Sequence, residues 1–421
     1  MRRAVPFFAL AVLAGCGGSN TGTSPYSPDY RGSAERDAAV KEASKNLSSG
    51  PAAKVAIAAN DFGFRLFKSI VGTEKIDKNV FIAPTSVSLA LSMAYNGAAG
   101  ETQKAMASTL GFGKLKVDEV NQGNRDLATV LHGNDPGTLL TIANSLWIKQ
   151  GETVVPEFLK RVTDNYGAKA EYLDFGNSEA KDAINAWVKE ATQGKIPTII
   201  ETTKPEDFMH LVNAVYFKGD WKDPFLPKAT IKMPFENGET TPPEVSMMSR
   251  EGSYLYLDGD KFQAVSIPYG RGRVAMDVFL PKKGTSLAQF LSGASPKWLA
   301  DQAKKMVLTP LTTLKIPKFR AENSFDLVPI LKQMGMAVAF TDKADFTGMR
   351  KQGELLITGV THKTYVVVDE QGTEAAGATD VAVGTTSMPV GADFIANRPF
   401  YYQIRDTETG TLVFVGVLVR P

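Results

Sequence analysis

From Glu370 to Asn397 the chain has no Lys or Arg and only one aromatic residue, Phe394. Structureless loops longer than about 12–15 residues are uncommon in compact domains and usually carry function or disorder. This stretch has an internal order. Positions 373, 375, 377, 379, 381 and 383 are Thr, Ala, Gly, Thr, Val and Val, whereas 374, 376, 378, 380, 382 and 384 are Glu, Ala, Ala, Asp, Ala and Gly. One face is small or β-branched, and the other carries both charges. Such a two-residue period suits a strand with one buried face. Ala and Gly are poor strand formers, so nothing local holds the segment extended. The segment can be a strand but need not be one, and a chain with two plausible states invites a switch hypothesis.

The remaining composition is that of an ordinary globular chain, 43% hydrophobic and 22% charged over 421 residues. The 47 Lys+Arg and 45 Asp+Glu nearly cancel, and no basic run supports a nucleic-acid partner. A single Cys excludes an internal disulfide and any multi-Cys metal site. No G-x-S-x-G elbow, H-E-x-x-H, Walker loop or C-x-x-C is present. His132, His210 and His362 lie far apart and read as one surface and two structural residues. "GRGR" (270–273) reads as a hairpin turn. No catalytic residue, metal or cofactor is expected.

The N-terminus, "MRRAVPFFALAVLAGCGG", places two Arg before an apolar run from Ala4 to Ala14 and then Leu13-Ala14-Gly15-Cys16. That order is the order of a secretory signal, and the run is short of the roughly 20 residues a membrane span needs. The Leu-Ala-Gly-Cys tetrad resembles the bacterial lipobox, which implies cleavage before Cys16 and lipidation of its thiol. Residues 1–15 are thus expected to be a lipoprotein signal peptide and 16–53 a lipidated flexible tether with at most a short polar helix. The chain from 54 to 421 is expected to form the folded domain, exported and held at the cell envelope, on its periplasmic or extracellular face.

Val55, Ala59, Phe62, Leu66 and Ile70 mark an amphipathic helix to about Val71. Residues 86–112 read as two helices hinged at Asn96-Gly97, and 179–193 as another. Strands are expected over 138–150, 210–221 and 410–421, with a hairpin over 262–284. The apolar pattern of 324–340 predicts a helix ending at Gly335. Mixed order without βαβ repetition predicts an α+β fold.

Several blocks then resemble one family, in its own order: "NVFIAPTSVSLALSMAYNGAAGET" (79–102), "LVNAVYFKGDWKDPF" (211–225), "FDLVPILKQMGM" (325–336), "GVTHKTYVVVDE" (359–370), "DEQGTEAAGAT" (369–379) and "NRPFYYQIRDTETGTLVFVGVLVRP" (397–421). The chain from about Val55 onward resembles the serpins. The resemblance implies three β-sheets, eight or nine helices and an exposed reactive loop at about 370–397. It further implies suicide inhibition: a serine protease attacks the loop, and the cleaved loop inserts into the central sheet and distorts the acyl-enzyme. The hinge would be Glu370, Gly372, Thr373, Glu374, Ala375, Ala376, Gly377, Ala378 and Thr379, small enough to enter a sheet quickly. Asp380 is unusual there, but falls on the outward face. Counting from Glu370 as the family does selects Thr386–Ser387 as the reactive bond, which suits an elastase-like or subtilisin-like target, with Val383 and Thr385 as other sites. Ser86, Asn213 and His362 match the family's shutter, although Ala83 stands where Ser is common. Trp221, Lys318 and Glu370 match its breach, where insertion starts. The family also implies a monomer prone to loop-sheet polymerisation. A non-inhibitory member acting as a binding or chaperone-like protein is the alternative.

Overall fold

The computed structural model describes residues 34–72, 76–132, 135–352, 355–373 and 391–421. Ten α-helices occur among them: α1 Ala34–Leu47, α2 Gly50–Val71, α3 Pro84–Tyr95, α4 Gly100–Leu110, α5 Val117–Leu131, α6 Pro156–Tyr166, α7 Ser178–Ala191, α8 Leu287–Gly293, α9 Pro296–Ala303 and α10 Val328–Leu331. The early strands are β1 Val80–Ile82, β2 Thr138–Lys149, β3 Lys169–Leu173, β4 Met209–Asp220, β5 Ile231–Pro234, β6 Glu244–Asp258, β7 Phe262–Pro268 and β8 Val274–Pro281. The later ones are β9 Val307–Pro317, β10 Phe319–Asp326, β11 Thr361–Val368, β12 Gly372–Thr373, β13 Ala392–Ile395, β14 Phe400–Asp406 and β15 Leu412–Leu418. The α+β class holds.

Among the described residues two hydrogen-bonded sheets stand where three were expected. The larger runs β1-β15-β14-β8-β7-β6-β9-β13, with β5 also on β6. Two sheets are fused in it because β6 is long enough to pair β5 at one end and β7 at the other, bending at a register shift between Arg250 and Gly252. Both of its faces are buried at β14: Tyr401 meets Phe279 of β8 and Phe64 and Phe67 of α2, while Tyr402 meets Phe81 and Phe319 on the opposite side.

The smaller, central sheet runs β10-β11-β12-β4-β2-β3. Helix α3 lies on its inner side, and α7 covers part of its outer side. Ile184 and Val188 of α7 pack with Val212 and Ala214 of β4 and Trp147 of β2.

Two expectations change. The helix read over 324–340 begins at Val328 instead of Ser324, running as α-helix over Val328–Leu331 and as π-helix over Lys332–Met336. Ser324, Phe325 and Asp326 instead extend β10 along β11, and Gly335, at φ +113°, breaks the helical path in a conformation that glycine tolerates without a Cβ clash. The segment read as a flexible tether contains α1, which buries Ala43 and Leu47. Asn46 Nδ2 of that helix donates to Asp126 Oδ2 on α5 at 3.3 Å.

Candidate functional site

The central sheet is held shut at one end by two residues. Strand β12 sits between β11 and β4, Thr373 facing Val368 on one side and Gly219 on the other, and Gly372 facing Asp220. Both neighbours run antiparallel to β12, so β11 and β4 are parallel to each other. Past Thr373 no described strand separates them. At the far end of the same interval is a cavity of 510 Å³, bordered by His210 and Asn213 of β4, Thr361 and Lys363 of β11, and Leu91 and Phe346 beneath.

The closed end is built from a tight turn. Asp369 Oδ1 accepts from the backbone N–H of Gln371 at 2.9 Å and of Gly372 at 3.3 Å. Gly372 is required by close approach, because a Cβ there would stand 2.0 Å from the Gly219 carbonyl oxygen. Thr373 is buried, and its hydroxyl lies 2.6 Å from that of Tyr269. Burial pushes the Tyr269 phenol far up, so it stays protonated and can donate.

Around this turn the three residues read as the breach come together. Trp221 stacks on Tyr269 with ring centroids 4.3 Å apart, and its Nε1–H donates to the Asp369 carbonyl at 2.9 Å. Lys318 Nζ sits 2.6 Å from Glu370 Oε2, while the Thr230 hydroxyl donates to Oε1 at 2.8 Å. Burial pushes the Glu370 carboxyl up. Hydrogen bonds from Lys318, Thr230 and its own backbone, with the Lys318 charge, outweigh that and hold it below the usual range.

The shutter residues divide into two groups. Ser86 Oγ donates to Asn213 Oδ1, and Asn213 Nδ2 donates to Asn144 Oδ1 at 2.8 Å. Asn144 Nδ2 continues to the backbone carbonyl of Tyr166 at 2.9 Å. The Tyr166 hydroxyl then donates to Asn121 on α5 at 2.8 Å. His362 joins neither chain. Its Nε2 accepts from the backbone N–H of Ala83 at 3.0 Å, where α3 begins without a side-chain cap. An acceptor at Nε2 requires the proton on Nδ1. Burial holds this imidazole down at about 4, so it is neutral at pH 7.

None of the three His is a surface residue. His132 Nε2 accepts from the Ile142 backbone N–H at 3.2 Å, and His210 packs edge-on to Phe175 with centroids 4.8 Å apart. The sequence reading missed Tyr269, Thr230 and Asn144, whose partners lie far away in the chain. Glu374 to Thr379, the Thr386–Ser387 bond and Cys16 lie outside the described residues. Among the described residues no group of His, Cys, Asp and Glu could hold a metal, and no helix is long and apolar enough to cross a membrane.

The molecule is thus an α+β protein whose central sheet is closed at one end by β12 and parted beyond it between two parallel strands. The family model for "Serpin (serine protease inhibitor)" matches residues 57–421. The chain belongs to the serpin family. An uncharacterized serpin-like protein of Thermococcus kodakarensis is 35% identical over 89% of this chain and 88% of its own length. The leukocyte elastase inhibitor of Sus scrofa is 34% identical over 82% and 93%. Among solved structures, the thermophilic serpin tengpin in its native state superposes with a TM-score of 0.79 at 30% identity, covering 87% of this chain and 94% of that one. Human thyroxine-binding globulin complexed with thyroxine gives 0.80 at 29%, covering 88% and 100%. The family is broadly one of protease inhibitors, and that coarse assignment extends to this chain.

Proposed function

We propose that this serpin is a suicide-substrate inhibitor of serine proteases with elastase-like or subtilisin-like pockets. The observation that carries the reading is β12: the hinge enters the sheet at Gly372 and Thr373, and beyond it β11 and β4 stay parted. A serine protease would attack the Thr386 carbonyl, break the Thr386–Ser387 bond and remain esterified to Thr386. The freed strand would then continue from Thr373 between β4 and β11. Each ladder hydrogen bond gained contributes about 0.5–1.5 kcal/mol net, and the inward face adds burial, so the uninserted form is held by a barrier. Residues 375–379 are Ala, Ala, Gly, Ala and Thr, which leaves no bulky side chain to slow the race with deacylation.

The relatives fit both sides of the question. One is named an elastase inhibitor, whereas thyroxine-binding globulin is described in complex with thyroxine. The small-residue hinge favours inhibition for this chain. The anchor is proposed on the same footing: lipid on Cys16 would hold the domain at the cell envelope, and Cys16→Ser would release it from the membrane fraction.

The test is a denaturing gel with mass spectrometry after mixing residues 34–421 with pancreatic elastase or subtilisin. A band at the summed mass, with a released peptide starting at Ser387, is expected. Thr373→Arg should abolish the complex yet leave cleavage, because a cation cannot be buried beside Tyr269 without a partner. If the parent is cleaved without complex and its melting temperature does not rise, the inhibitory reading falls and a binding role takes its place.

A further inference from the structure

Among the described residues, Ile57, Tyr172 and Ile231 are large apolar side chains exposed on three separate elements, α2, β3 and β5. Apolar residues scattered in this way are normal on a soluble surface. Leu255, Val307 and Leu308 differ, because they share one corner of the larger sheet. Leu308 is 70% exposed and stands directly opposite Leu255 across the β6–β9 ladder. Pro310, two residues further on and therefore on the same face, is exposed as well. Val307 begins β9 and turns to the other face, opposite Tyr256. The end of β9 is thus apolar on both sides.

The core does not require this arrangement. Met306 and Leu311 are buried on either side of the stretch, so the residues between two anchors are the ones left in water. Strand β13 covers the free edge of β9 only from Ala392, opposite Leu311, onward. Residues 307–310 have β6 on one side and no described strand on the other. A contiguous apolar patch of this kind marks a surface that something else covers.

Its position says what. Gly391 packs on Pro310 so closely that a Cβ there would stand 2.5 Å from the Pro310 carbonyl oxygen. Ser387 of the proposed reactive bond precedes Gly391 by four residues, a leash of at most about 14 Å when fully extended. A protease domain of about 250 residues has a radius of gyration of about 18 Å. The leash is shorter than that radius, so a protease seated on the bond brings the rim of its cleft over Pro310 and Leu308. The surface consists of described residues, and from the loop only a length is used.

We propose that Leu255, Leu308 and Pro310, with Val307 at their edge, form a second contact surface for the attacking protease, separate from the reactive bond. The partner it fits is a serine protease with an apolar rim beside its cleft. Thr385, Thr386 and Ser387 are small and give a protease little by which to be told from another with a similar pocket. The patch supplies the selectivity that the bond lacks. This assignment rests on the inhibitory reading for the identity of the partner, and adds where the choice of partner is made.

The experiment compares the parent with Leu308→Glu, Leu255→Glu and, as a control, Ile57→Glu on α2. The readout is the second-order rate at which pancreatic elastase or subtilisin consumes the intact chain, counting covalent complex and cleaved product together. Loss of one contact at the centre of an interface should slow each patch variant by about tenfold. The control should match the parent, and all four should keep the parental melting temperature and the parental ratio of complex to cleaved product. Parental rates in both patch variants would overturn the surface. A parent that light scattering shows as a dimer, with Leu308→Glu a monomer, would also overturn it, since the patch would then serve a second copy. A parent cleaved without complex would overturn inhibition instead, and the rate comparison would still decide whether a protease uses the patch.

Discussion

Consider the buried hydroxyl pair of Thr373 and Tyr269. Each side chain has the other as its hydrogen-bond partner, 2.6 Å away, and both are almost fully buried. Thr373→Val keeps shape and volume but strands the Tyr269 hydroxyl; Tyr269→Phe strands that of Thr373. A buried polar group left without a partner costs about 1–3 kcal/mol. That penalty falls on the state in which β12 is in the sheet, since an expelled hinge returns both groups to water. At about 1.4 kcal/mol per tenfold, local opening should become roughly 5- to 150-fold more populated. Hydrogen exchange followed by mass spectrometry on a peptide covering 366–373 reads this opening directly. Each single variant should exchange faster by that factor. The double variant should return most of the way to the parent, because removing both partners leaves nothing stranded. Parental exchange in both singles would refute the claim that this pair pins the hinge.

Acid should act through two other groups. Burial keeps His362 near 4, so between about pH 4 and the ordinary 6.5 the unfolded chain carries a proton that the folded one refuses. Stability should therefore fall as pH drops through that window, by about 3 kcal/mol from this group. His362→Gln, which keeps an acceptor for the Ala83 N–H, should flatten the pH dependence of the urea midpoint, and an unaltered slope would count against the assignment. Glu370 acts in the same direction, at lower pH. Its carboxyl is held below the usual range, so its contribution is present above the unfolded value and is lost as pH falls through the folded one. Lys318→Met should lower the unfolding midpoint at pH 7, with the deficit closing as acid protonates Glu370; a deficit independent of pH would exclude the ion pair as its cause.

Strands β2, β4 and β15 were legible because branched and aromatic residues concentrate in them and turn residues bound them. The seating of Gly372 and Thr373 in the sheet agrees with the alternation that starts at Thr373. How far the hinge enters the sheet was not legible, since the same small residues suit water and sheet alike, and the decision rests on Tyr269, Gly219 and Trp221, more than a hundred residues upstream. The polar relay from Ser86 to Asn121 was hidden for a similar reason. Each Asn in it looks like a surface residue until five separate elements converge. The 324–340 segment misled because an apolar pattern continued unbroken from a strand into a short helix. The fusion of two sheets was invisible because it depends on one strand outrunning its partners at both ends.

The order of the larger sheet has a consequence for how the molecule is made. β15 lies between β1 and β14, and β14 lies against β8, so the strands that complete the sheet beside β1 and β8 are made after both. Until then Val80–Ile82 has no partner for its ladder, and β8 presents an open edge to any other chain. All seven residues of β15 are buried in the finished protein. Maturation therefore cannot proceed piece by piece from the N-terminus. A nascent chain must be kept from its neighbours until β14 and β15 have been made, and one cut short before Phe400 has no route to a closed core.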